Sequence, residues 1–237
     1  MTTLINGLAE MLRLTRQAEA DVFGALEPDI RQTPIREGDW TPKDVQAHLT
    51  AWKSRQATRI NAARRGVEPE FGLDGETDEI NAALRATRVD WSWDAIVAEA
   101  DEVSERLLDE ISASDPGEIP EFGQLIATTF GNGPFHALPH FAWLQDAGVP
   151  IDARRVERFA SDLEDVLRST ELADEDLGAG AALYNLACYH ALAGRADAAR
   201  SLLPVAFGKR PDLAEYSLQD DDLRSIRAEL PALAAGR

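Results

Sequence analysis

Cysteine is nearly absent from this chain of 237 residues: Cys188 stands alone. One cysteine excludes an internal disulfide and every multi-cysteine metal site. No apolar run approaches the ~20 residues that a membrane-spanning helix requires. The N-terminus, Met1-Thr-Thr-Leu-Ile-Asn6, has neither a basic region nor the apolar core of a secretory signal. These absences predict a reduced, cytoplasmic protein with no membrane partner. Positive charge is also scarce, with 24 Lys and Arg against 42 Asp and Glu and a net charge of −18. Such a surface repels phosphate backbones and anionic lipid at long range, so nucleic acid is not an expected partner. The first 148 residues contain no cysteine and no tyrosine. Thiol chemistry in that half would need a thiol from outside.

Histidine is sparse but patterned. His48 lies in Trp40-Thr-Pro-Lys-Asp-Val-Gln-Ala-His48-Leu-Thr-Ala-Trp52, and His136 and His140 lie in Phe135-His-Ala-Leu-Pro-His140-Phe-Ala-Trp143. A four-residue gap stacks two side chains on one helix face. Neutral imidazoles are common ligands for borderline divalent metals, and three of them leave coordination positions open, as catalytic sites do. The competing reading is three polar side chains satisfied by hydrogen bonds inside a helical core.

The hydrophobic pattern is helical throughout. Leu4, Leu8, Met11, Leu12, Thr15, Ala18 and Val22 recur at three- and four-residue steps over residues 3–25. Pro28 and the run Gln32-Thr-Pro-Ile-Arg-Glu-Gly38 predict an interruption. Thr41, Pro42 and Asp44 then form the signature of a helix start, with Trp40 placed to staple onto Val45. That helix should end at Gly66, with Val45, His48, Leu49, Trp52, Gln56 and Ile60 inward. A breaker-rich loop at 66–76 precedes a short helix from Thr77 to Arg88. Trp91-Ser92 opens another helix to Ser112, with Ile96, Val103, Leu107 and Ile111 inward. A second loop runs from Asp115 to Pro120. A fourth long helix is expected from Phe122 to Gln145, interrupted by Gly131, Gly133, Pro134 and Pro139. Nothing alternates with period two, so this half reads as four long helices in a bundle.

Residues 152–170 form a further amphipathic helix through Val156, Phe159, Leu163 and Leu167. After it, Leu183, Leu186, Ala187, His190, Gly194, Ala199, Leu203, Ala206 and Pro211 follow tetratricopeptide spacing. Small residues at 187, 199 and 206 allow close helix crossing, with Cys188 as a small buried apolar residue. One repeat cannot bury both of its faces. The segment should therefore pack on the first half, form a homodimer contact or dock a partner peptide. Leu183, Leu186, Leu202 and Leu203 are expected to be buried, and Asp220-Asp221-Asp222 to stay solvated or cap the final helix. No catalytic residue is expected here.

The order of these parts resembles the DinB-like superfamily, which includes thiol-dependent transferases, isomerases and ClbS/DfsB-type proteins. The resemblance rests on Trp40-Thr-Pro-x2-Val-x2-His48-Leu-x2-Trp52 and His136-x3-His140-x2-Trp143, and covers residues 1–148. It implies an all-α protein: a DinB-like four-helix bundle over 1–148, followed by the tetratricopeptide-like segment over 149–237. It implies a divalent metal (Zn, Ni or Fe) held by His48, His136 and His140, activating a low-molecular-weight thiol such as mycothiol or bacillithiol, or water. Pro139 departs from a regular helix and predicts a kink between the two later histidines.

The expected function is a metal-dependent transferase or hydrolase acting on a small electrophile. The alternatives are a metal-free adaptor that binds through the repeat segment, and a ClbS-like protein that sequesters a toxic metabolite. Arg55 and Arg59, seven and eleven residues after His48, are candidates for binding a carboxylate of the substrate or thiol. Glu79, Asp101 and Glu102 are available as general bases, and the sequence does not rank them.

Overall fold

A computed structural model describes residues 3–35, 40–73, 75–119, 121–170 and 177–235 of the chain. Every regular element among the described residues is a helix. None of them is long and apolar enough to cross a membrane.

Helix α1 spans Leu4–Gly24, and its Thr3 hydroxyl accepts the Asn6 N–H at the N-terminus. Its buried stripe runs Leu8, Met11, Leu12, Thr15, Glu19 and Val22. The predicted interruption at Pro28 is instead a short helix, α2 (Pro28–Gln32), with proline at its first position, where no N–H is needed. Residues 36–38 of the breaker run lie outside the described residues.

Helix α3 (Pro42–Arg65) starts as its sequence dictates. Thr41 Oγ1 accepts the Asp44 N–H at 3.1 Å, and the Asp44 carboxylate accepts the Thr41 N–H at 3.0 Å. It ends at Gly66, whose φ of +65° favours glycine. Helix α4 (Thr77–Ala86) stops two residues before the expected Arg88. Helix α5 (Trp93–Ser112) is capped by Ser92 and buries Ile96, Val103, Leu107 and Ile111, the four expected residues.

The expected fourth helix is two helices, α6 (Phe122–Asn132) and α7 (Ala137–Asp146). Pro134 has no N–H to donate and would collide with the carbonyl one turn back, so the first helix ends. The Phe130 carbonyl accepts the Phe135 N–H instead, at 3.2 Å. Gly133 is required at this break: a Cβ there would lie 2.7 Å from the Thr129 carbonyl oxygen and 3.0 Å from Leu12. Pro139 causes no kink. It is the third residue of α7, in the first turn, where an N–H has no helical partner anyway.

Helix α8 (Ala153–Ser169) lies along α1, and α9 (Leu177–Leu192) packs on α6 and α7. Gly7 in α1 permits the approach of the chain after α8, since a Cβ there would lie 2.2 Å from Thr170 Oγ1. Helices α9 and α10 (Ala196–Lys209) form a hairpin whose contact includes the fully buried Ala187, Ala199 and Ala206, with Gly194 at φ +74° in the turn. Leu186, Leu202 and Leu203 are buried as expected, while Leu183 is half-buried. Helix α11 (Asp212–Tyr216), a 3-10 helix (Asp221–Glu229) and α12 (Leu230–Ala235) complete the chain. The buried residues of both halves form one continuous apolar core. Each fully buried Leu or Phe in it contributes about 1.5–3 kcal/mol relative to exposure.

Candidate metal centre

Three elements of local sequence place the three histidines. His48 lies two turns into α3 and shares the buried face with Val45 and Leu49. The break at Gly133-Pro134 redirects the chain, so that His136 sits at the N-terminal cap of α7 and His140 one turn further on. The Thr15 hydroxyl lies 2.8 Å from the Met11 carbonyl and 3.0 Å from the Pro134 carbonyl, and so ties the break to α1. Gln56 donates to Thr129 Oγ1 at 2.7 Å and ties α3 to α6.

The histidines converge. Ring centroids are 5.0 Å apart for His48–His136 and His48–His140, and 4.8 Å apart for His136–His140. One ring nitrogen from each can be chosen so that all three lie within 4.8 Å of one another. Metal–nitrogen bonds are ~2.0–2.1 Å long, so a small rotation of the rings brings all three onto one ion. His140 Nδ1 is 3.0 Å from the His136 carbonyl oxygen. A carbonyl only accepts, so Nδ1 carries the hydrogen and Nε2 the lone pair. This kind of backbone contact orients a metal-binding imidazole. His48 Nδ1 and His136 Nδ1 are buried without a hydrogen-bond partner, a cost of about 1–3 kcal/mol each unless something fills the role.

The electrostatics favour neutral rings. Burial, with His140 adding to it, pushes His48 down to about 2. Burial, followed by His140, His48 and Lys53, lowers His136 well below the usual histidine range. Burial also lowers His140, against the opposing pull of its backbone hydrogen bond and of Glu19. Neutral imidazoles are what a metal requires. The donor set, the orphaned nitrogens and the charge state therefore fit a borderline divalent ion.

Beneath the histidines lies a buried ion pair between Glu19 of α1 and Lys53 of α3. Gln46 Nε2 donates to the other Glu19 oxygen at 3.4 Å. Removing one partner of such a pair costs about 3–5 kcal/mol, because the other is left buried and charged. The sequence reading passed over this pair. The available signal was a glutamate on the apolar stripe, four residues after Thr15 and three before Val22.

The histidines open into a cavity of about 640 Å³. Trp40, Trp52 and Trp143 stand in its wall, with Thr77, Asn81, Asn132 and Asp222 as further polar lining. Trp40 meets His48 edge-on at 5.0 Å, and Trp52 Nε1 donates to Asn81 Oδ1 at 3.0 Å. Asp222 comes from the far end of the chain and was not anticipated as a site residue. Of its neighbours, Asp220 caps the 3-10 helix and accepts the Tyr184 hydroxyl at 2.7 Å, while Asp221 is exposed and pairs with Arg227. Cys188 brings its sulfur within 4.8 Å of oxygens of Asp220 and Asp222, a second group with possible ligand atoms. Burial, with Asp220 and Asp222 beside it, pushes that thiol well above its usual range, so it stands there as a protonated donor to Asp220.

Arg55 and Arg59 do not line this cavity. Both guanidinium groups stack on Phe71 of the 66–76 loop, at 4.2 and 5.1 Å from the ring. They share the helical phase of His48, but seven and eleven residues carry them about 10 and 16 Å along the axis. Asp101 is paired with Arg16, and Glu79 and Glu102 are also absent from the cavity lining. His190, expected in the repeat core, is half-buried and accepts from Arg195 at 3.0 Å. No family model, curated protein or solved structure matches this chain.

Proposed function

We propose that this protein is a metal-dependent transferase or hydrolase of the DinB-like type, built as a four-helix bundle with a tetratricopeptide-like segment packed on it. The observation that supports this reading is the convergence of His48, His136 and His140 in one cavity, with two buried ring nitrogens lacking any partner. A bound Zn, Ni or Fe ion would supply Lewis acidity and lower the pKa of a coordinated thiol or water. The chain's own contribution is orientation and exclusion. The His136 carbonyl holds the Nδ1 hydrogen of His140 and turns Nε2 towards the other rings. The three indoles line the histidine cavity, and a substrate lying against them would displace water and strengthen electrostatic contacts there. Asn81 and Asn132 offer hydrogen bonds to a small electrophile lying across the cavity. The nucleophilic thiol comes from solution, because the only cysteine is buried on α9.

The test uses tag-free protein dialysed against Zn2+, Ni2+ or Fe2+. Wild type should retain one ion per chain, and His140→Ala should lose it while keeping its helical circular dichroism. The loaded wild type should also hasten loss of an activated acyl or aryl electrophile in the presence of added thiol. Wild-type protein that takes up no ion removes the reading. An ion retained without any turnover leaves sequestration as the function.

A further inference from the structure

The cavity wall carries one carboxylate and no lysine or arginine among the described residues. That carboxylate, Asp222, lies in the first turn of the 3-10 helix in the last part of the chain, yet it lines the same cavity as histidines from α3 and α7. Arg224 acts on Asp222 from the same 3-10 helix and Arg55 lies 5.7 Å from the Trp52 ring, but neither lines the cavity. Lys53 is buried against Glu19, and Arg85 pairs with Asp44 at 3.1 Å while lying 5.9 Å from the Trp40 ring. The remaining lining includes the three indoles Trp40, Trp52 and Trp143.

We propose that this cavity selects ligands with an apolar body and a protonated amine, held by Asp222 and the indole rings, and that it rejects carboxylates. The inference rests on reading the cavity as the substrate site, and it concerns the metal-free protein, since a bound cation would itself attract a carboxylate. An ammonium gains from the Asp222 charge and from the negative faces of the tryptophans. A carboxylate meets repulsion from Asp222 and no compensating guanidinium. Burial, then Asp220 and Asp221, raise the Asp222 carboxyl to about 6 against the opposing pull of Arg224, so a further positive charge in the cavity relieves an unfavourable anion. The carboxylate-binding role expected of Arg55 and Arg59 has no counterpart in this wall.

Two probes of equal shape and opposite charge decide the matter: 2-naphthylmethylamine and 2-naphthoate. Their binding to the full-length protein is measured by equilibrium dialysis at pH 7.5, after treatment with a chelator. Salt is kept at 150 mM, where screening beyond ~8 Å suppresses the general pull of an acidic surface. The amine should bind at least about tenfold tighter than the carboxylate, the order expected for one partly desolvated ion pair with cation–π contact. Asp222→Asn should abolish most of that preference and leave the metal content unchanged. Asp222→Glu should retain the preference, which separates charge from folding. Equal binding of the two probes to wild type, a preference that survives Asp222→Asn, or binding of neither probe overturns the proposal. Amine preference in a protein that holds no ion would sink the metal reading alone; ion uptake without amine preference would sink this one alone.

Discussion

The three histidines make a residue-level statement about acid stability. Each has its folded pKa below its unfolded value of about 6.5. Above pH 6.5 both states are neutral and the contribution to stability is fully present. As pH falls below 6.5 the unfolded chain takes up protons that the folded chain refuses, so stability is lost down to the folded values. The slope is about 1.4 kcal/mol per pH unit for each histidine fully protonated in the unfolded chain alone. Urea unfolding of metal-free protein should show stability declining from pH 7 to pH 5.5. His136→Ala should decline less steeply by one proton's worth. Identical slopes in the two proteins would mean that His136 is not held neutral by the fold. A bound ion would steepen the wild-type decline, because protons then compete with the metal for the rings.

At the level of elements, the site depends on the break between α6 and α7. Gly133→Ala puts a methyl group against the Thr129 carbonyl and Leu12. It should destabilise the fold by about 1–3 kcal/mol, as overpacking does, and weaken ion retention by displacing His136. Thermal melts and metal analysis of the variant check both; unchanged ion retention would show that the break does not position the ring. Much of this architecture is legible in the chain, because caps and breakers act locally. The Thr41–Asp44 box, Ser92, Gly66 and Gly194 each mark an end that the structure keeps. The inward phase of His48 follows from Val45 and Leu49. Pro139 misled because proline matters only relative to where its helix begins, and the break at Pro134 had moved that start to Ala137. Arg55 and Arg59 share the phase of His48 but stand outside the cavity lining, because periodicity gives rotation about the helix axis and ignores distance along it. Asp222 was out of reach altogether. Its place in the wall depends on how α9 docks on α6 and α7, a contact between residues far apart in sequence.

The whole molecule joins its two halves through that docking. Residues 149–237 cover α1 and α6 with apolar surface and also contribute Asp222 to the lining of the histidine cavity. Ending the chain at Gly148 should therefore do two things. The exposed faces of α1 and α6 should cause aggregation or self-association, visible in size-exclusion chromatography, because large apolar patches seldom stay bare. Any soluble fraction should retain the three histidines but lose the preference for amines over carboxylates. A monomeric, soluble truncation with wild-type stability would make the second half a separate module. The wall itself has one more consequence, an optical one. Of the chain's five indoles, Trp40, Trp52 and Trp143 encircle the histidines. Indole emission from three of the five tryptophans thus originates beside the centre. An open-shell ion such as Ni2+ settling there would darken that emission, whereas closed-shell Zn2+ would mainly shift its colour. The protein is born with a lamp in its own pocket, and occupancy can be watched without attaching any dye.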